Sequence, residues 1–257
     1  MTTALVTAIG GDLGQGVAMC LRRQGVSVVG CDSNTLHTWT VGPFCDAWFH
    51  AVPRADDPTY VASLFAIANE RGCELVIPAS DAEILALGTH PHVGARPASL
   101  VARFADKWEQ YETARRAGLL YALSTLDDDE MFEGFWGNSI WKYRHGAGGR
   151  GQGDIFWQEK LNGPEYTVAV WASHHNAADI RTLALRRELR GGATYRCWHE
   201  PDEPATQRAS AVAHDYALAL GFQGSFNVQG RDVEGRGFVP FEVNARFSST
   251  VSLRDTM

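Results

Sequence analysis

Residues 238–249 read FVPFEVNARFSS, and their alternation of apolar and polar residues predicts a β-strand. Successive side chains of a strand point to opposite faces, so Glu242, Asn244 and Arg246 are expected on one face. Carboxylate and amide oxygens suit Mg²⁺, which proteins usually hold with one or two carboxylates plus substrate phosphates. The preceding strand, SFNVQ at 225–229, presents Gln229 beside them. The run therefore predicts a metal site, and a solvated edge face is the alternative.

Lys142 lies on a predicted strand over 140–143, and a glycine-rich run follows it. Residues 145–153 read HGAGGRGQG and contain five glycines, which predicts a mobile loop whose backbone amides wrap phosphate oxygens. Lys142 adds positive charge there. The spacing is not that of a Walker loop, GxxxxGK[ST]. A turn that is merely flexible is the alternative for such a run.

Lysine is rare in this chain, which has 23 Lys and Arg residues but lysine only at positions 107, 142 and 160. Biased codon usage can explain the excess of arginine, but it does not explain where the three lysines lie. Arg186, Arg187 and Arg190 form another basic cluster, which is a candidate site for an anionic substrate. The alternative is that these residues are the solvated end of a strand.

The first 32 residues predict a parallel βαβ unit: a strand from Thr3, a glycine turn, a helix closed by Gly25 and a strand ending at Asp32. Glycines at this turn followed by an acidic residue are also typical of dinucleotide-binding folds, which makes a short-chain NAD(P)-dependent oxidoreductase an alternative. That enzyme class needs a Tyr four residues before a Lys. Arg103, Asn138 and Phe156 occupy those positions, so the catalytic pair is absent.

Further elements follow along the chain. We predict helices over 60–71, 80–87, 104–118 and 205–220, and strands over 74–78, 155–158, 165–172, 181–188, 194–198, 225–229 and 237–244. Residues 90–99 are predicted to be a connecting loop.

Composition excludes several classes. With 45% apolar residues, 21% charged residues and a net charge of −7, the chain is typical of a globular protein and not of one that binds nucleic-acid phosphates. No apolar stretch approaches the roughly 20 residues of a membrane helix. Five scattered cysteines form neither a zinc pattern nor a disulfide framework. We expect a cytoplasmic protein.

Three runs, TAIGGDLGQG, VIPASDAE and NVQ, are most similar to the carbamoyl-phosphate synthetase large-subunit branch of one family, the ATP-grasp enzymes. Five segments in order resemble that family as a whole. The segments are ADKWEQYETARRAG, WKYRHGAGGRGQG, QEKLNGPEYTVAVW, GSFNVQ and FEVNARFSS. The resemblance implies an α/β ATP-grasp fold with three parts: a Rossmann-like pre-ATP-grasp domain over 1–103, a lid over 104–158 and a nucleotide- and metal-binding domain over 159–257. The lid is shortened, because only four residues separate Gly153 from Gln158.

The resemblance also implies a role for particular residues. Lys107 and Lys142 would bind ATP phosphates under a loop over 148–153, with Lys142 and Arg246 catalytic and Arg246 facing the group to be phosphorylated. The other implied roles are phosphate contact for Gly148, Gly149 and Gly151, the adenine hinge for Glu159, Lys160 and Leu161, the ribose for Glu165, and Mg²⁺ for Gln229, Glu242 and Asn244.

The activity so implied is that of an ATP-dependent ligase, which joins a small carboxylate to an amine through an acyl phosphate and releases ADP, with ATP and Mg²⁺ as cofactors. Bicarbonate or carbamate is a nearer alternative as the acceptor. The short lid, and a chain that stops at Met257 where relatives often continue, favour another alternative: an ATP-binding subunit that is non-catalytic or completed by a partner. A homo-oligomer is a further expectation, while nucleic acid and membrane partners are not expected.

Overall fold

The chain divides into two structural units. One comprises Met1–Val101 with Arg246–Met257, and the other comprises Ala102–Ala245. The computed structural model describes residues 2–39, 41–46, 49–88, 98–126, 137–147, 150–173, 175–176, 178–248 and 250–251. None of the helices within those ranges is long and apolar enough to cross a membrane.

The first unit is built on a parallel sheet of four strands in the order β3-β2-β1-β4. Its strands are β1 (Thr3–Val6), β2 (Ser27–Asp32), β3 (Phe49–Ala51) and β4 (Leu75–Ile77), and its helices are α1 (Asp12–Arg23), α2 (Tyr60–Glu70) and α3 (Asp81–Leu87). Two short 3₁₀ helices, Thr35–Trp39 and Gly42–Phe44, lie between β2 and β3. The predicted βαβ unit is confirmed, since β1 and β2 pair in parallel across α1.

Both faces of this sheet are covered, which explains why its strands are continuously apolar rather than alternating. Val6 packs in a cluster with residues of α1, whereas its neighbour Leu5 packs in a second cluster with Tyr60 and Leu64 of α2. Val251 packs in the first cluster, so the segment after residue 245 contributes to the core of this unit.

The second unit contains two antiparallel sheets. The smaller has the order β5-β7-β6 and the larger the order β10-β9-β8-β11-β12. Their strands are β5 (Ser124–Thr125), β6 (Ser139–Ala147), β7 (Arg150–Glu159), β8 (Glu165–Ala172), β9 (Ile180–Arg190), β10 (Ala193–Trp198), β11 (Gly224–Val233) and β12 (Gly237–Asn244). The remaining helices are α4 (Ala98–Ala105), α5 (Lys107–Arg116) and α6 (Pro204–Leu220).

Helix α5 begins where a side chain can satisfy its first amides. Asp106 is the N-cap and accepts hydrogen bonds from the backbone N–H groups of Trp108 at 2.9 Å and Glu109 at 3.4 Å. Gly118, with φ of 69°, follows its last turn. The predicted helix over 104–118 is therefore confirmed, except that Phe104 belongs to α4, which the sequence did not predict.

The prediction of a mobile loop over 145–153 is wrong for most of that run. Residues 145–147 extend β6 and residues 150–153 extend β7, with Gly146 opposite Gly151 in the ladder. A Cβ at Gly151 would lie 2.2 Å from the Cβ of Tyr143, so glycine is required there by the close approach of the two strands. Gly148 and Gly149 lie outside the described residues.

The larger sheet has two different faces because its strands alternate. Helix α6 packs against β8, β9 and β12, and it buries an alanine stripe formed by Ala205, Ala209, Ala213 and Ala217. Tyr166 of β8 is buried and packs edge-on against the Phe238 ring of β12, which identifies the apolar face. Glu165 and Thr167 therefore belong to the opposite face, which carries the polar residues considered next.

Candidate functional site

The pairing of β11 with β12 brings four polar residues of the candidate site together. Gln229 lies opposite Glu242 and Asn227 lies opposite Asn244. The register shifts after Gln229, where Phe241 is the extra residue of a β-bulge. Bulges commonly redirect side chains next to active sites, and this one precedes the two residues with the strongest prediction of metal binding.

The side chains of Glu242 and Asn244 are partly buried, and neither makes a hydrogen bond or ion pair with another described residue. A carboxylate and an amide that accept no bond from these residues are a donor pair that fits Mg²⁺, which also takes ligands from phosphate and water. No cluster of three His, Cys, Asp or Glu side chains occurs in the described ranges. A metal here would therefore need further ligands from its substrate.

Gln110 of α5 holds the outer edge of β12 in place. Its side-chain oxygen accepts hydrogen bonds from the Val243 N–H at 2.8 Å and the Tyr121 hydroxyl at 3.0 Å, and its amide nitrogen donates to the Phe104 carbonyl at 2.6 Å. The Tyr121 hydroxyl also lies 2.8 Å from the carbonyl oxygen of Phe241, at the bulge. Gln110 is almost fully buried, so these bonds are protected from water and fix the backbone on both sides of Glu242.

Two ammonium groups approach this edge. Lys142 of β6 lies over the Phe241 ring, with its Nζ 4.8 Å from the ring centroid. Burial lowers the pKa of Lys142 to about 8, Glu242 opposes this shift, and the positive charge of Lys107 adds to it. Lys107, the first residue of α5, donates from Nζ to the Gly146 carbonyl of β6. The predicted pair Lys107 and Lys142 is thus close enough to interact electrostatically, and Glu242 lies within range of Lys142.

Both carboxylate oxygens of Glu165 are paired with arginines. It is buried, with one oxygen 2.7 Å from Nε of Arg187 and the other 2.7 Å from a terminal nitrogen of Arg231. The three residues face each other across β9, β8 and β11, because Glu165 is opposite both arginines in the ladders. A carboxylate can accept more hydrogen bonds than these, so the ribose contact implied for Glu165 stays a prediction.

Gln229 also differs from its implied role. Its side-chain oxygen accepts a hydrogen bond of 2.8 Å from Arg187, and its nitrogen donates to the Asn227 oxygen at 3.2 Å. Asn227 is fully buried and donates to Thr167 and to the Val168 carbonyl. The oxygen expected to bind Mg²⁺ is thus bound to a guanidinium, so among the three predicted ligands only Glu242 and Asn244 fit a metal as they are placed.

Arg246 is not on the strand that carries Glu242 and Asn244. Strand β12 ends at Asn244, and Arg246 belongs to the first unit. Its Nε donates to Asp81 at 2.9 Å, at the start of α3, and a terminal nitrogen donates to the Phe247 carbonyl at 3.0 Å. The expectation that all three polar residues share one strand face was wrong: β12 ends at Asn244, as the predicted strand over 237–244 does, so the alternation does not extend to residue 246.

The predicted adenine hinge lies at the end of β7. Glu159 forms a bidentate ion pair with Arg236, with N···O distances of 2.7 and 2.9 Å, and it accepts from the Leu123 N–H at 2.8 Å. The backbone N–H of Lys160 donates to the Asn138 carbonyl at 2.7 Å, while its side chain is exposed. Leu161 is buried. These contacts fix the segment, and its role in adenine binding stays a prediction.

The glycine turn of the first unit is occupied by its own side chains. The Gly10 N–H donates to an Asp32 oxygen at 2.9 Å, and Nδ1 of His37 lies 3.0 Å from the same oxygen. The His37 ring lies where a Cβ of residue 10 would be. The carboxylate that would bind a ribose in a dinucleotide fold is thus already engaged, which removes the basis of the oxidoreductase alternative.

Arg187 is the site residue whose place the sequence did not reveal. The sequence shows it only as one of three neighbouring basic residues, and the structure separates them. Arg187 contacts Glu165 and Gln229, while Arg186 lies over Trp198 and Arg190 over Tyr195. Alternation along β9 predicts opposite faces for residues 186 and 187, so the signal was present. The partners of Arg187 on the neighbouring strands cannot be predicted from the sequence around it.

The sequence matches no family model and no curated protein. Solved structures, in contrast, match over nearly all of the chain. Similar structures include an ADP complex of purK, N5-carboxyaminoimidazole ribonucleotide synthetase (TM-score 0.73, 16% identity, 96% of this chain and 70% of that one). An N5-carboxyaminoimidazole synthetase from Staphylococcus aureus has a TM-score of 0.74 and 16% identity over 96% and 71% of the two chains. A biotin carboxylase complex with ATP from Campylobacter jejuni has a TM-score of 0.74 and 14% identity over 98% and 67%.

These proteins are ATP-grasp enzymes, and the chain therefore has the ATP-grasp fold, which confirms the resemblance seen in the sequence. Biotin carboxylase is related to carbamoyl-phosphate synthetase, the branch that the sequence segments most resemble. At 14–16% identity the likeness establishes the fold, and the activity has to be argued from the site.

Proposed function

We propose that this protein is an ATP-dependent ligase that activates a carboxylate, or bicarbonate, as an acyl phosphate and transfers the acyl group to an amine. The observation that carries the proposal is the arrangement at the edge of the larger sheet. A desolvated ammonium, Lys142, lies within electrostatic range of Glu242, whose carboxylate and the neighbouring Asn244 amide bind nothing else in the described residues.

Lys107 and Lys142 are suited to binding phosphate oxygens. Two ammonium groups close to each other repel, and an anion between them relieves that repulsion, most strongly where water is partly excluded. Lys142 is partly desolvated, so its attraction for a polyphosphate is greater than that of a surface lysine. Transfer of a phosphoryl group depends mainly on positioning and on cancellation of charge, which these side chains can supply.

Glu242 and Asn244 would hold Mg²⁺ at the opposite side of the phosphates. The ion, when bound, would neutralise charge that develops on the phosphoryl oxygens. Gln110 and Tyr121 would keep these two ligands in position, because they fix the backbone of β12 from its open edge. The proposal also assigns adenine binding to the hinge segment 159–161. It divides the chain into a pre-ATP-grasp domain over 1–103, a lid over 104–158 and a nucleotide- and metal-binding domain over 159–257.

The proposed chemistry has two steps. A carboxylate oxygen of the acceptor attacks the γ-phosphorus, the bond to the bridging oxygen breaks, and ADP leaves with that electron pair. An amine nitrogen then attacks the acyl carbon, phosphate leaves, and the amine loses a proton as the C–N bond forms. The lysines would stabilise charge in the first step, and excluded water would protect the acyl phosphate from hydrolysis.

We expect purified protein with Mg·ATP to release ADP when the correct carboxylate, or bicarbonate, and amine are supplied. Bicarbonate belongs in this screen because one similar structure, a carboxylase domain, contains MgADP with bicarbonate. Substitutions K142A and E242A should each lower the rate at least about 100-fold, since each removes a charge that faces the phosphoryl group. A coupled assay for ADP measures the effect.

Matched controls separate loss of the site from loss of charge alone. Arg181 and Glu234 are exposed residues of the same unit, and R181A and E234A should keep full turnover. Circular dichroism should show that all four variants are folded. If K142A or E242A released ADP as fast as the unmodified protein, the assignment of the site would be wrong.

A second candidate function is an ATP-binding subunit without catalysis of its own. The short segment between Gly153 and Gln158 favours it, because a shortened lid would exclude water from bound phosphates less completely. Such a protein would bind the nucleotide in a calorimetric titration yet release no ADP with any pair of substrates. We also propose a cytoplasmic location and small-molecule substrates, with a homo-oligomer or a completing partner to be tested by light scattering.

A further inference from the structure

We propose that Arg187 occupies the position at Gln229 that a metal ion would otherwise take, and so restricts the metal site to Glu242 and Asn244. This inference rests on the proposed function, since it concerns the same nucleotide and metal site. It assigns to Arg187 the role of a positioning residue, which acts on the metal through Gln229 and not by contact with the substrate.

The guanidinium of Arg187 is well placed to hold Gln229. The side chain is only 11% exposed, and its Nε is 2.7 Å from Glu165 while a terminal nitrogen is 2.8 Å from the Gln229 oxygen. A weaker contact of 3.5 Å joins it to Thr194. Glu165, which is also paired with Arg231, contacts both Nε and the terminal nitrogen of Arg187 that donates to Gln229. Arg187 therefore has little freedom to leave.

Gln229 is fixed from its other end as well. Its nitrogen donates to Asn227, whose own nitrogen donates to Thr167 and to the Val168 carbonyl. This chain of bonds sets the orientation of the Gln229 amide, because a rotated amide would place its NH₂ group against the guanidinium and its oxygen against the Asn227 oxygen. The oxygen of Gln229 is thus directed to Arg187.

Two cations cannot share the Gln229 oxygen at low cost. A metal bound there would lie within a few ångströms of the guanidinium, and the repulsion between two positive charges is strong where water is partly excluded. Glu242 lies opposite Gln229 and Asn244 opposite Asn227, and neither contacts an arginine in the described residues. These two oxygen donors are the part of the site that remains open to a metal.

The test measures metal affinity directly with Mn²⁺, which prefers the same oxygen ligands as Mg²⁺ and is detected by electron paramagnetic resonance. The full-length protein is saturated with a nonhydrolysable ATP analogue and titrated with Mn²⁺. Q229L should leave the Mn²⁺ dissociation constant unchanged, because the oxygen it removes is already bound to Arg187. A roughly tenfold weaker affinity in Q229L would show that Gln229 is a ligand and would overturn the inference.

A second variant frees the oxygen instead of removing it. R187Q should bind Mn²⁺ about tenfold more tightly, since Gln229 can then act as a third ligand. Glu165 keeps Arg231 as its partner in this variant. The double variant R187Q/Q229L should return to the original affinity. Tightening that persists in the double variant, or no tightening in R187Q, would contradict competition at Gln229.

The matched control is R186Q, on the adjacent residue of β9 with its side chain on the other face, over Trp198. It removes one positive charge from the same strand and should not change the affinity for Mn²⁺. If R187Q does not fold, Q229L alone still decides the question. Failure of the proposed function would look different: the unmodified protein with the analogue would then bind no more Mn²⁺ than the analogue binds alone.

Discussion

Lys142 is an ammonium group that the fold keeps partly away from water, next to another ammonium and a carboxylate. Burial is the main cause of its low pKa, and Lys107 and Arg187 lower it further, whereas Glu242 and Glu165 raise it. A group placed at such a cost to stability is typical of functional sites, where the cost is recovered when a ligand binds. The anion that Lys107 and Lys142 bind would be that ligand.

The low pKa of Lys142 predicts how stability changes with pH. The folded protein holds this proton less tightly than the unfolded chain does, because the pKa falls from 10.5 to about 8 on folding. Burial of the ammonium is therefore fully destabilising below pH 8, and the penalty disappears as the pH rises toward 10.5. K142M should be more stable than the unmodified protein at pH 7, and this advantage should shrink by pH 10.

Urea unfolding of both proteins at pH 7 and pH 10 measures this difference. R181M, which removes an exposed cation, is the control and should show no such change with pH. An advantage of K142M that stayed constant or grew at pH 10 would show that the ammonium is not desolvated in the folded state.

The same shift predicts how nucleotide binding depends on pH. Phosphate oxygens bind the charged form of Lys142, so the dissociation constant of an ATP analogue should rise above pH 8, by up to about tenfold for each pH unit. K142R should lose most of this dependence, because arginine stays charged throughout the range. Calorimetric titrations at pH 7, 8 and 9 would measure it, and equal slopes for both proteins would exclude Lys142 as the linked group.

At the scale of elements, α5 and β12 act as one support for the site, joined through Gln110. The Q110L substitution would leave the Val243 N–H and the Phe104 carbonyl without partners in a buried place. Each unpaired group costs about 1–3 kcal/mol, so we expect a loss of about 3 kcal/mol in the free energy of unfolding. Urea denaturation measures this loss.

The control for this prediction is Gln207, an exposed residue of α6. Q207L should change stability by less than about 0.5 kcal/mol. Q110L should also lower the rate of ADP release, because the backbone on both sides of Glu242 would become free to move. Full activity in a folded Q110L protein would mean that β12 does not need this support.

Much of this element structure could be predicted from local patterns. The bounds of β8 and β12 agree with the predicted strands at 165–172 and 237–244, because clear alternation or a glycine boundary marks them. Strand β5, with two residues, and β3, with three, were missed because so short a run carries no period and forms only against its neighbours. The glycine run 145–153 misled for the same reason, since pairing with another strand overrides local flexibility.

The candidate site could be predicted only in part. Alternation placed Glu242 and Asn244 on one strand face, and the scarcity of lysine drew attention to Lys107 and Lys142. The ion pair of Glu165 and the hydrogen bond of Gln229 with Arg187 join residues 22 and 42 positions apart, and no pattern along the chain shows which partner a polar side chain will find. Arg246 was misplaced because alternating polarity in the sequence continues past Asn244, where both the predicted and the observed strand end.

At the scale of the whole molecule, the first unit is made of two separate segments of sequence. Val251 packs with Val6, Val17 and Val28 in its core, and its carbonyl oxygen lies 3.3 Å from the Cys20 sulfur. Since V251A leaves a cavity in this cluster, we expect the free energy of unfolding to fall by about 2 kcal/mol. Hydrogen exchange should become faster in β1 and β2 and stay unchanged in β8 and β11.

The control substitution is L36A, at a leucine that is 71% exposed, and its exchange pattern should match that of the unmodified protein. Faster exchange in β8 or β11 of V251A would show that the division into two units does not describe how the protein opens.

The split composition of the first unit has a consequence during synthesis on the ribosome. Residues 102–245 form a continuous segment, whereas residues 246–251 must emerge after all of them before the hydrophobic cluster around Val6 gains Val251. The segment translated first therefore waits, with part of its apolar surface uncovered, while the later one can already fold. Protection of that nascent surface, for instance by a chaperone, would matter most in the interval before Val251 leaves the exit tunnel.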